Sequence, residues 1–260
     1  MATGQTSVAT SRDLRTVRLS LVRFSSHERS QWLARSAALL NGPELERVAA
    51  IIDPDTRAQH AIGRALVRLL GAEAIGCSPL DVTVAVTETG KPWLLELPDL
   101  HVNVSHTRRT VVVASALVAP VGVDIEHPAA TAVHPQRLAQ RLFACSELRT
   151  LRELSEDSLA EWFASVWTIK EAVGKALGIG VVPALSQVVV ETRDKGLELA
   201  SVGEGRPAES WTLHQLTAPG GGEKIAVAVQ APGVELEPVS VVTLDWFVRA
   251  AEGHRATARR

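Results

Sequence analysis

The segment "VWTIKEAVGKALGIG", from Val166 to Gly180, places Lys170, Glu171 and Lys175 in an apolar helical pattern. Glu171 and Lys175 are four residues apart, so they share one face of a helix. This spacing is common in exposed ion pairs, which is one interpretation. Against it, the neighbouring residues are mostly apolar, and only five of the 27 basic residues are lysines. Because ammonium and guanidinium groups are not interchangeable, two lysines here indicate a chemical role.

The segment "GVDIEH" contains two carboxylates whose spacing matters. If it is a strand, Asp124 and Glu126 point to the same face. Two carboxylates on one face repel each other unless a cation lies between them, and Mg²⁺ prefers such oxygen ligands. The alternative is a strand that ends in solvent, with both carboxylates hydrated.

Two further segments contain polar residues at turns. His106 ends "VNVSHT", and Lys91 and Pro92 lie in the turn "ETGKPW". Alone, each has an ordinary structural interpretation, and the full phosphate-binding pattern GxxxxGK[ST] is absent. Together with the carboxylates and Lys175, they supply a metal site, phosphate-binding cations and a histidine. This set suits chemistry on a pyrophosphate.

The elements that position these residues follow the order strand, helices, strands, helices and strands. This segregation predicts an α+β fold with two similar subdomains in a pseudo-twofold arrangement, each a long helix packed on a small antiparallel sheet. We expect an N-terminal, coenzyme-binding subdomain at residues 15–119 and a C-terminal subdomain at 120–245 with the metal site and catalytic helix. Residues 1–14 and 250–260 are expected to be disordered tails.

Composition excludes several classes of function. The 260-residue chain is 46% hydrophobic and 22% charged, with a net charge of -2. This charge gives no basis for nucleic acid or an anionic membrane as the main partner. The two cysteines show no metal-ligand spacing and indicate a reducing compartment. We expect a cytoplasmic protein.

Three motifs, "VNVSHT", "GVDIE" and "FASVWTIKEAVGKALGIG", resemble in order those of the 4'-phosphopantetheinyl transferases. The resemblance is to the large monomeric type typified by the surfactin-synthetase activator, and it covers roughly Arg47 to Gly180. The most specific match is the WxxKExxxK core. Val102 departs from the pattern where an aromatic residue is common, and the chain has no tyrosine.

The resemblance implies transfer of the phosphopantetheine arm of coenzyme A to a serine of an apo acyl or peptidyl carrier protein, with release of adenosine 3',5'-bisphosphate. It implies that Mg²⁺, with Mn²⁺ as an alternative ion, is bound by Asp124, Glu126 and Glu171. Lys175 would contact the phosphate, and Glu171, directly or through a water, would accept the serine proton. The other residues implied in coenzyme A binding are Arg47, Arg57, Lys91, Pro92, Ser105, His106 and Lys170. Of these, His106 and one or both arginines would bind the 3'-phosphate.

Two alternatives remain open from the sequence. A Mg²⁺-dependent pyrophosphohydrolase acting on coenzyme A or a nucleotide would use the same carboxylates and lysine with water as nucleophile. A non-catalytic carrier-protein or nucleotide-binding module is disfavoured, because it has no need of the complete carboxylate and lysine set. Since two halves of one chain can form the cleft, we expect a monomer.

Overall fold

A computed structural model of the chain describes residues 15–130, 135–194, 196–203 and 207–257. The helices are α1 (Arg29–Ala37), α2 (Gly42–Ala49), α3 (Pro54–Ile75), α4 (Pro135–Leu142), α5 (Cys145–Glu153), α6 (Glu156–Leu177), α7 (Val181–Gln187) and α8 (Leu244–Thr257). The strands are β1 (Thr16–Arg23), β2 (Val84–Val86), β3 (Pro92–Leu94), β4 (His101–Thr107), β5 (Thr110–Ala116), β6 (Val121–Glu126), β7 (Val188–Arg193), β8 (Gly196–Val202), β9 (Thr212–Thr217), β10 (Lys224–Val229), β11 (Glu235–Leu236) and β12 (Ser240–Val241).

The two longest helices end where local signals place their ends. At the start of α3, the Asp53 carboxylate accepts a hydrogen bond from the Thr56 amide at 2.7 Å, which satisfies a free N–H of the first turn. The residues after the two helices, Gly76 and Gly178, have φ angles of 77° and 73°. Glycine adopts this left-handed conformation without a Cβ clash, so it terminates both helices.

The first sheet has the strand order β11-β1-β5-β4, and β12 also pairs with β1. One face of this sheet packs against α3. Their shared core contains buried Ile62 and Leu66 of the helix and Val111 and Val113 of β5. The apolar stripe of α3 therefore fixes the helix on the sheet, and its remaining side chains are available for the site.

The second sheet has the antiparallel order β6-β10-β9 and is covered by α6. Ala172 and Val173 of the helix share a buried cluster with Ala226 and Ala228 of β10. A third cluster joins the two sheets through alternate residues of β1, β5, β6 and β10. Each long helix thus covers one small sheet, which confirms the predicted α+β class.

The C-terminal segment differs from the predicted subdomain and tail boundaries. After β10 the chain returns to the first sheet, where β11 and β12 pair in parallel with β1. Helix α8 extends through residues 250–257, which had been predicted as part of a tail, and its buried Phe247 packs on Trp32 with ring centroids 5.4 Å apart. Burial of these rings favours the return to the first sheet. The other predicted tail, residues 1–14, lies outside the described residues.

Candidate active site

A cavity of about 540 Å³ lies between the elements of the two sheets. Helices α2 and α3 and the turn before β3 form one side, and the C-terminal half of α6 forms the other. The polar residues of its lining are Glu44, Arg47, Gln59, His60, Arg64, Thr89, Lys91, Asn103, His106, Glu171 and Lys175. Most of its charged groups are cationic, so the cavity suits an anionic ligand.

Lys175 lines the cavity and forms an ion pair with the buried carboxylate of Asp124. Its ammonium lies 2.5 Å from Oδ1 of Asp124 and donates to the Ser105 hydroxyl at 2.9 Å. The same Oδ1 accepts a hydrogen bond from Ser105 at 2.8 Å. The Glu171 carboxylate lies 3.8 Å from the ammonium. Helix α6 thus brings a cation and a carboxylate close to Asp124 of β6.

Side chains of β4 hold the neighbouring strand β6, although the two strands belong to different sheets. The Asn103 side-chain oxygen accepts a hydrogen bond from the Val123 amide at 2.9 Å. Thr107 donates to Oε2 of Glu126 at 3.3 Å. Together with Ser105, these residues alternate along β4 and face β6. Asn103 and Thr107 were not among the predicted site residues, although the alternation in "VNVSHT" was a signal for them.

The carboxylates influence one another electrostatically. The pKa of Glu126 is raised to about 7, mainly by burial and further by the charges of Asp124 and Glu171. Burial also raises the pKa of Glu171 to about 7, with a further contribution from Asp124 that Lys175 opposes. The charge of Asp124 therefore disfavours the ionised forms of both glutamates.

The donor chemistry of this cluster fits a divalent cation. Oδ2 of Asp124 is buried and has no hydrogen-bond partner among the described residues. A bound cation would satisfy this oxygen and relieve the repulsion between carboxylates. However, no group of three or more His, Cys, Asp or Glu side chains in the described ranges is already arranged as a ligand set. The residues fit the ion by charge and donor type, while Lys175 holds the other oxygen of Asp124.

The cavity lining also contains two histidines, His60 and His106, and two arginines, Arg47 and Arg64. The rings of His60 and His106 lie 5.2 Å apart between centroids. Burial lowers the pKa of His106 to about 4, with further lowering by His60 and Lys175. The guanidinium of Arg64 lies 3.5 Å from the Glu44 carboxylate through Nε, and its buried Nη1 has no hydrogen-bond partner in the described part of the chain. Burial lowers the pKa of Arg64, Glu44 opposes this shift, and Arg47 and Arg68 add to it. A bound anion would stabilise this group of donors.

The predicted site residues fall into different environments. Arg47, Pro92 and His106 line the cavity, whereas Arg57 does not and donates from Nε to the Ile51 carbonyl at 2.8 Å. The Ser105 hydroxyl lies between Asp124 and Lys175 rather than in the cavity lining. Arg64 was not predicted. Its position one turn after His60 on α3 was the available signal, because residues four apart share a helix face.

Lys170 was predicted to lie near the phosphates, but the structure places it in the protein core. Its side chain is fully buried and forms an ion pair with the fully buried Glu147 of α5 at 2.8 Å. Its ammonium also donates to the Leu185 and Val188 carbonyls and lies 4.7 Å from the centroid of the Phe143 ring. Because Lys170 and Lys175 point in different directions from α6, only Lys175 reaches the cavity.

Lys91 lies at the cavity wall, but its ammonium is directed at backbone carbonyl groups. It donates to the carbonyls of Val121, Lys175 and Ala176 at 3.0, 2.9 and 3.1 Å. Burial lowers the pKa of Lys91 to about 8. In this conformation the Lys91 ammonium donates to backbone carbonyls of the protein rather than to a ligand in the cavity.

The fold and the site define an α+β protein with a cationic cleft beside a carboxylate cluster. Residues 120–229 match the 4'-phosphopantetheinyl transferase superfamily. A 4'-phosphopantetheinyl transferase of Bacillus subtilis is 30% identical over 162 residues, which cover 62% of this chain and 70% of the relative. The chain belongs to the 4'-phosphopantetheinyl transferase family, which confirms the resemblance seen in the motifs.

Other relatives agree with this assignment. The 4'-phosphopantetheinyl transferase Sfp of Bacillus subtilis (strain 168) is 28% identical over 60% of this chain and 74% of its own length. The 4'-phosphopantetheinyl transferase HetI of Nostoc sp. is 28% identical over 69% of this chain and 74% of its own length. In the described part of the chain, no helix has the length and hydropathy needed to cross a membrane.

Proposed function

We propose that this enzyme transfers the 4'-phosphopantetheine arm of coenzyme A to a serine of an apo acyl or peptidyl carrier protein. Adenosine 3',5'-bisphosphate leaves when the pyrophosphate bond breaks and the serine oxygen forms a new bond to the phosphorus of the arm. The proposal is supported by the family and by one observation. Lys175, held by Asp124 and Ser105, lies 3.8 Å from the Glu171 carboxylate and lines a cavity whose charged groups are mostly cationic.

Lys175 would stabilise charge in this reaction. Phosphoryl transfer requires positioning and neutralisation of charge on the pyrophosphate more than covalent help from the protein. Its ammonium is fixed by Asp124 at 2.5 Å and Ser105 at 2.9 Å, so little reorganisation is needed when a phosphate oxygen approaches. Lys175 is therefore the residue proposed to contact the phosphate and the leaving oxygen.

Glu171 would accept the proton of the attacking serine, directly or through a water. The side chain lines the cavity one helical turn before Lys175, on the same face of α6. A base at this position can reach a hydroxyl that enters the cavity from the solvent.

Mg²⁺, or Mn²⁺ in its place, would be held by Asp124, Glu126 and Glu171. When bound, such an ion neutralises pyrophosphate charge and orients its oxygens. Asp124 offers a buried oxygen without a partner among the described residues, and Thr107 holds Glu126 in position. We therefore expect coenzyme A turnover to require a divalent cation.

The nucleotide end of coenzyme A would occupy the part of the cavity that contains Arg47, His60, Arg64 and His106. These donors suit the 3'-phosphate, because guanidinium groups bind phosphate oxygens through charge-assisted hydrogen bonds. Arg57 was implied by the resemblance in the same role, but it does not line the cavity, and its Nε donates to the backbone carbonyl of Ile51. We accordingly assign the 3'-phosphate to Arg47, Arg64 and His106.

Calorimetry with coenzyme A and dephospho-coenzyme A tests this assignment. Replacing Arg47 or His106 with alanine should weaken coenzyme A binding about tenfold and change dephospho-coenzyme A binding much less. Arg57→Ala is the matched control and should leave both affinities near wild type. Equal losses for both ligands in the Arg47 and His106 variants would remove these residues from the 3'-phosphate.

Release of adenosine 3',5'-bisphosphate, with and without an apo carrier protein, tests the reaction. We expect release that depends on both Mg²⁺ and the carrier. Release at the same rate without any carrier would favour a pyrophosphohydrolase, which uses the same carboxylates with water as the nucleophile. A monomer is expected to be sufficient, since one chain supplies both sides of the cavity.

A further inference from the structure

The Lys91 ammonium binds three backbone carbonyl groups that belong to two other elements. Its acceptors are the oxygens of Val121 at 3.0 Å, Lys175 at 2.9 Å and Ala176 at 3.1 Å. An ammonium group has three N–H donors, so these contacts account for all of them. The lysine therefore links the turn before β3 to the start of β6 and the end of α6.

The carbonyls that Lys91 binds on α6 belong to the end of the helix. The last four carbonyls of an α-helix have no intrahelical donor. In α6, the Gly174 carbonyl accepts from the amides of Gly178 and Ile179, whereas those of Lys175 and Ala176 accept from Lys91. A cation here is also favoured by the negative end of the helix dipole. Lys91 thus provides the end of α6 with a cap from a distant part of the sequence.

This cap lies beside a close backbone contact between α6 and β6. Any Cβ at Gly122 would overlap the Ala172 carbonyl oxygen and lie 2.5 Å from the Ala176 amide nitrogen. Helix and strand are therefore in direct backbone contact, one residue from Val121, which Lys91 also binds. A small displacement of the turn that carries Lys91 would be transmitted through the lysine to this contact between α6 and β6, because closely packed backbone leaves no free space.

The turn that carries Lys91 is internally bonded. The Thr87 amide donates to the Lys91 carbonyl at 2.9 Å, and the Lys91 amide donates to the Thr87 hydroxyl at 3.1 Å. This turn presents the lysine side chain in a defined direction. Burial that lowers the Lys91 pKa to about 8 agrees with a side chain enclosed between elements.

We propose that Lys91 is a positioning residue that holds the C-terminal end of α6, and through it the Lys175 side chain, in the orientation needed for transfer. The connection between Lys91 and the Lys175 ammonium runs through a single residue. The Lys175 carbonyl accepts a hydrogen bond from Lys91, while the Lys175 ammonium binds Asp124 and Ser105. This role differs from direct coenzyme A binding, which the resemblance implied for Lys91. The proposed effect on transfer rests on the proposed function.

The test compares Lys91→Met with wild type in three measurements: coenzyme A affinity by calorimetry, steady-state kinetics, and hydrogen–deuterium exchange in residues 174–180. Methionine keeps the length of the side chain and removes its charge and donors. Glu88→Gln, an exposed change in the same turn, is the matched control. We expect Lys91→Met to lower kcat about 10- to 100-fold, because small misplacements of a catalytic group are costly.

Coenzyme A affinity should change less than about threefold in Lys91→Met, since a positioning residue alters kcat more than binding. Exchange of the amides in residues 174–180 should become faster, while Glu88→Gln should match wild type in all measurements. A loss of coenzyme A affinity of about tenfold or more, with unchanged exchange in this segment, would identify Lys91 as a direct ligand and overturn the proposal.

If Lys91→Met does not fold, Lys91→Arg allows the same comparison, because it keeps the charge at the helix end. Slower turnover with faster exchange in residues 174–180 would support the proposal for this variant, and slower turnover with wild-type exchange in that segment would contradict it. The exchange measurement needs no substrate. Failure of the wild-type enzyme to modify any carrier would therefore refute the proposed function while the structural role of Lys91 is tested separately.

Discussion

Replacing Lys170 with methionine should destabilise the protein strongly and leave coenzyme A binding unchanged. The substitution removes one member of an ion pair in which both side chains are fully buried. The Glu147 carboxylate would keep hydrogen bonds from the Ala144 and Val190 amides, at 2.7 and 2.8 Å. It would lose its only ion-pair partner in the described residues, and the Leu185 carbonyl would lose a buried donor.

The expected magnitude follows from this burial. Breaking a buried pair by removing one partner typically costs about 3–5 kcal/mol, because an uncompensated charge remains in the interior. This is a large part of the roughly 5–15 kcal/mol that stabilises a typical domain. At about 2–4 °C per kcal/mol for a chain of this size, the melting temperature should fall by about 10 °C.

Urea unfolding followed by tryptophan fluorescence measures this loss, since the chain has six tryptophans. The double variant Lys170→Met/Glu147→Gln should recover about 2 kcal/mol of the loss, because both charges are then removed. Lys224→Met is the matched control. It breaks the more exposed pair with Glu161 and should cost less than about 1 kcal/mol.

The opposite pattern in the Lys170→Met variant would refute this reasoning. A loss of stability within about 1 kcal/mol, together with coenzyme A binding weakened about tenfold, would place Lys170 in the coenzyme site. It would also mean that the ion pair with Glu147 does not form in solution.

Three further predictions concern other parts of the molecule. Gly122→Ala should lower the free energy of unfolding by about 1–3 kcal/mol and lower activity, because its Cβ would overlap the Ala172 carbonyl oxygen. Gly42→Ala, with open space around its Cβ, is the control. Equal stabilities for the two variants would contradict the packing argument. Lys175→Arg should lower kcat about 10- to 100-fold because a planar guanidinium cannot replace a point donor between Asp124 and Ser105, and a wild-type rate would count against this. The hydrogen bond that Glu223 accepts from Arg23 lowers the pKa of this carboxylate from 4.5 to about 2, so Glu223 contributes stability that is present above pH 4.5 and is lost as the pH falls toward 2. The unfolding free energies of wild type and Glu223→Gln should therefore converge between these pH values, and a constant difference would show that Glu223 is not the group responsible.

The features of the structure that can be read from the sequence depend on local signals. Helix α3 begins at Pro54 and ends before Gly76 because both residues fix the backbone without help from distant segments. The face shared by Glu171 and Lys175 follows from helical periodicity alone. Asp124 likewise lies at the expected position on β6, since strand periodicity sets its direction.

The errors concern partners that are distant in sequence. Lys170 and Lys175 look alike in the motif, and only Glu147 on α5 shows that one of them belongs to the core. The partners of Lys91 are backbone carbonyls, which any residue can supply, so no pattern of residue types could reveal them. The return of the chain after β10 to pair with β1 is also a tertiary feature without a local signal.

Arg64 shows that some of the missing information was present in the sequence. It lies off the apolar stripe of α3 and four residues after His60, and both side chains line the cavity. However, Arg68, one turn further along, is buried in an ion pair with Glu44 at 2.8 Å. Helical spacing alone therefore does not separate a cavity arginine from a core arginine, and the packing of α2 on α3 makes the difference.

The most direct test of the proposed function is the intact mass of an apo carrier protein after incubation with coenzyme A, Mg²⁺ and this enzyme. A panel of fatty-acid, polyketide and nonribosomal-peptide carriers should include at least one that gains the mass of one phosphopantetheine group, located by fragmentation on a serine. The gain should be absent with Lys175→Ala and with a chelator. Unchanged carrier masses across the panel, with adenosine 3',5'-bisphosphate accumulating in the same tubes, would contradict transfer and establish hydrolysis instead.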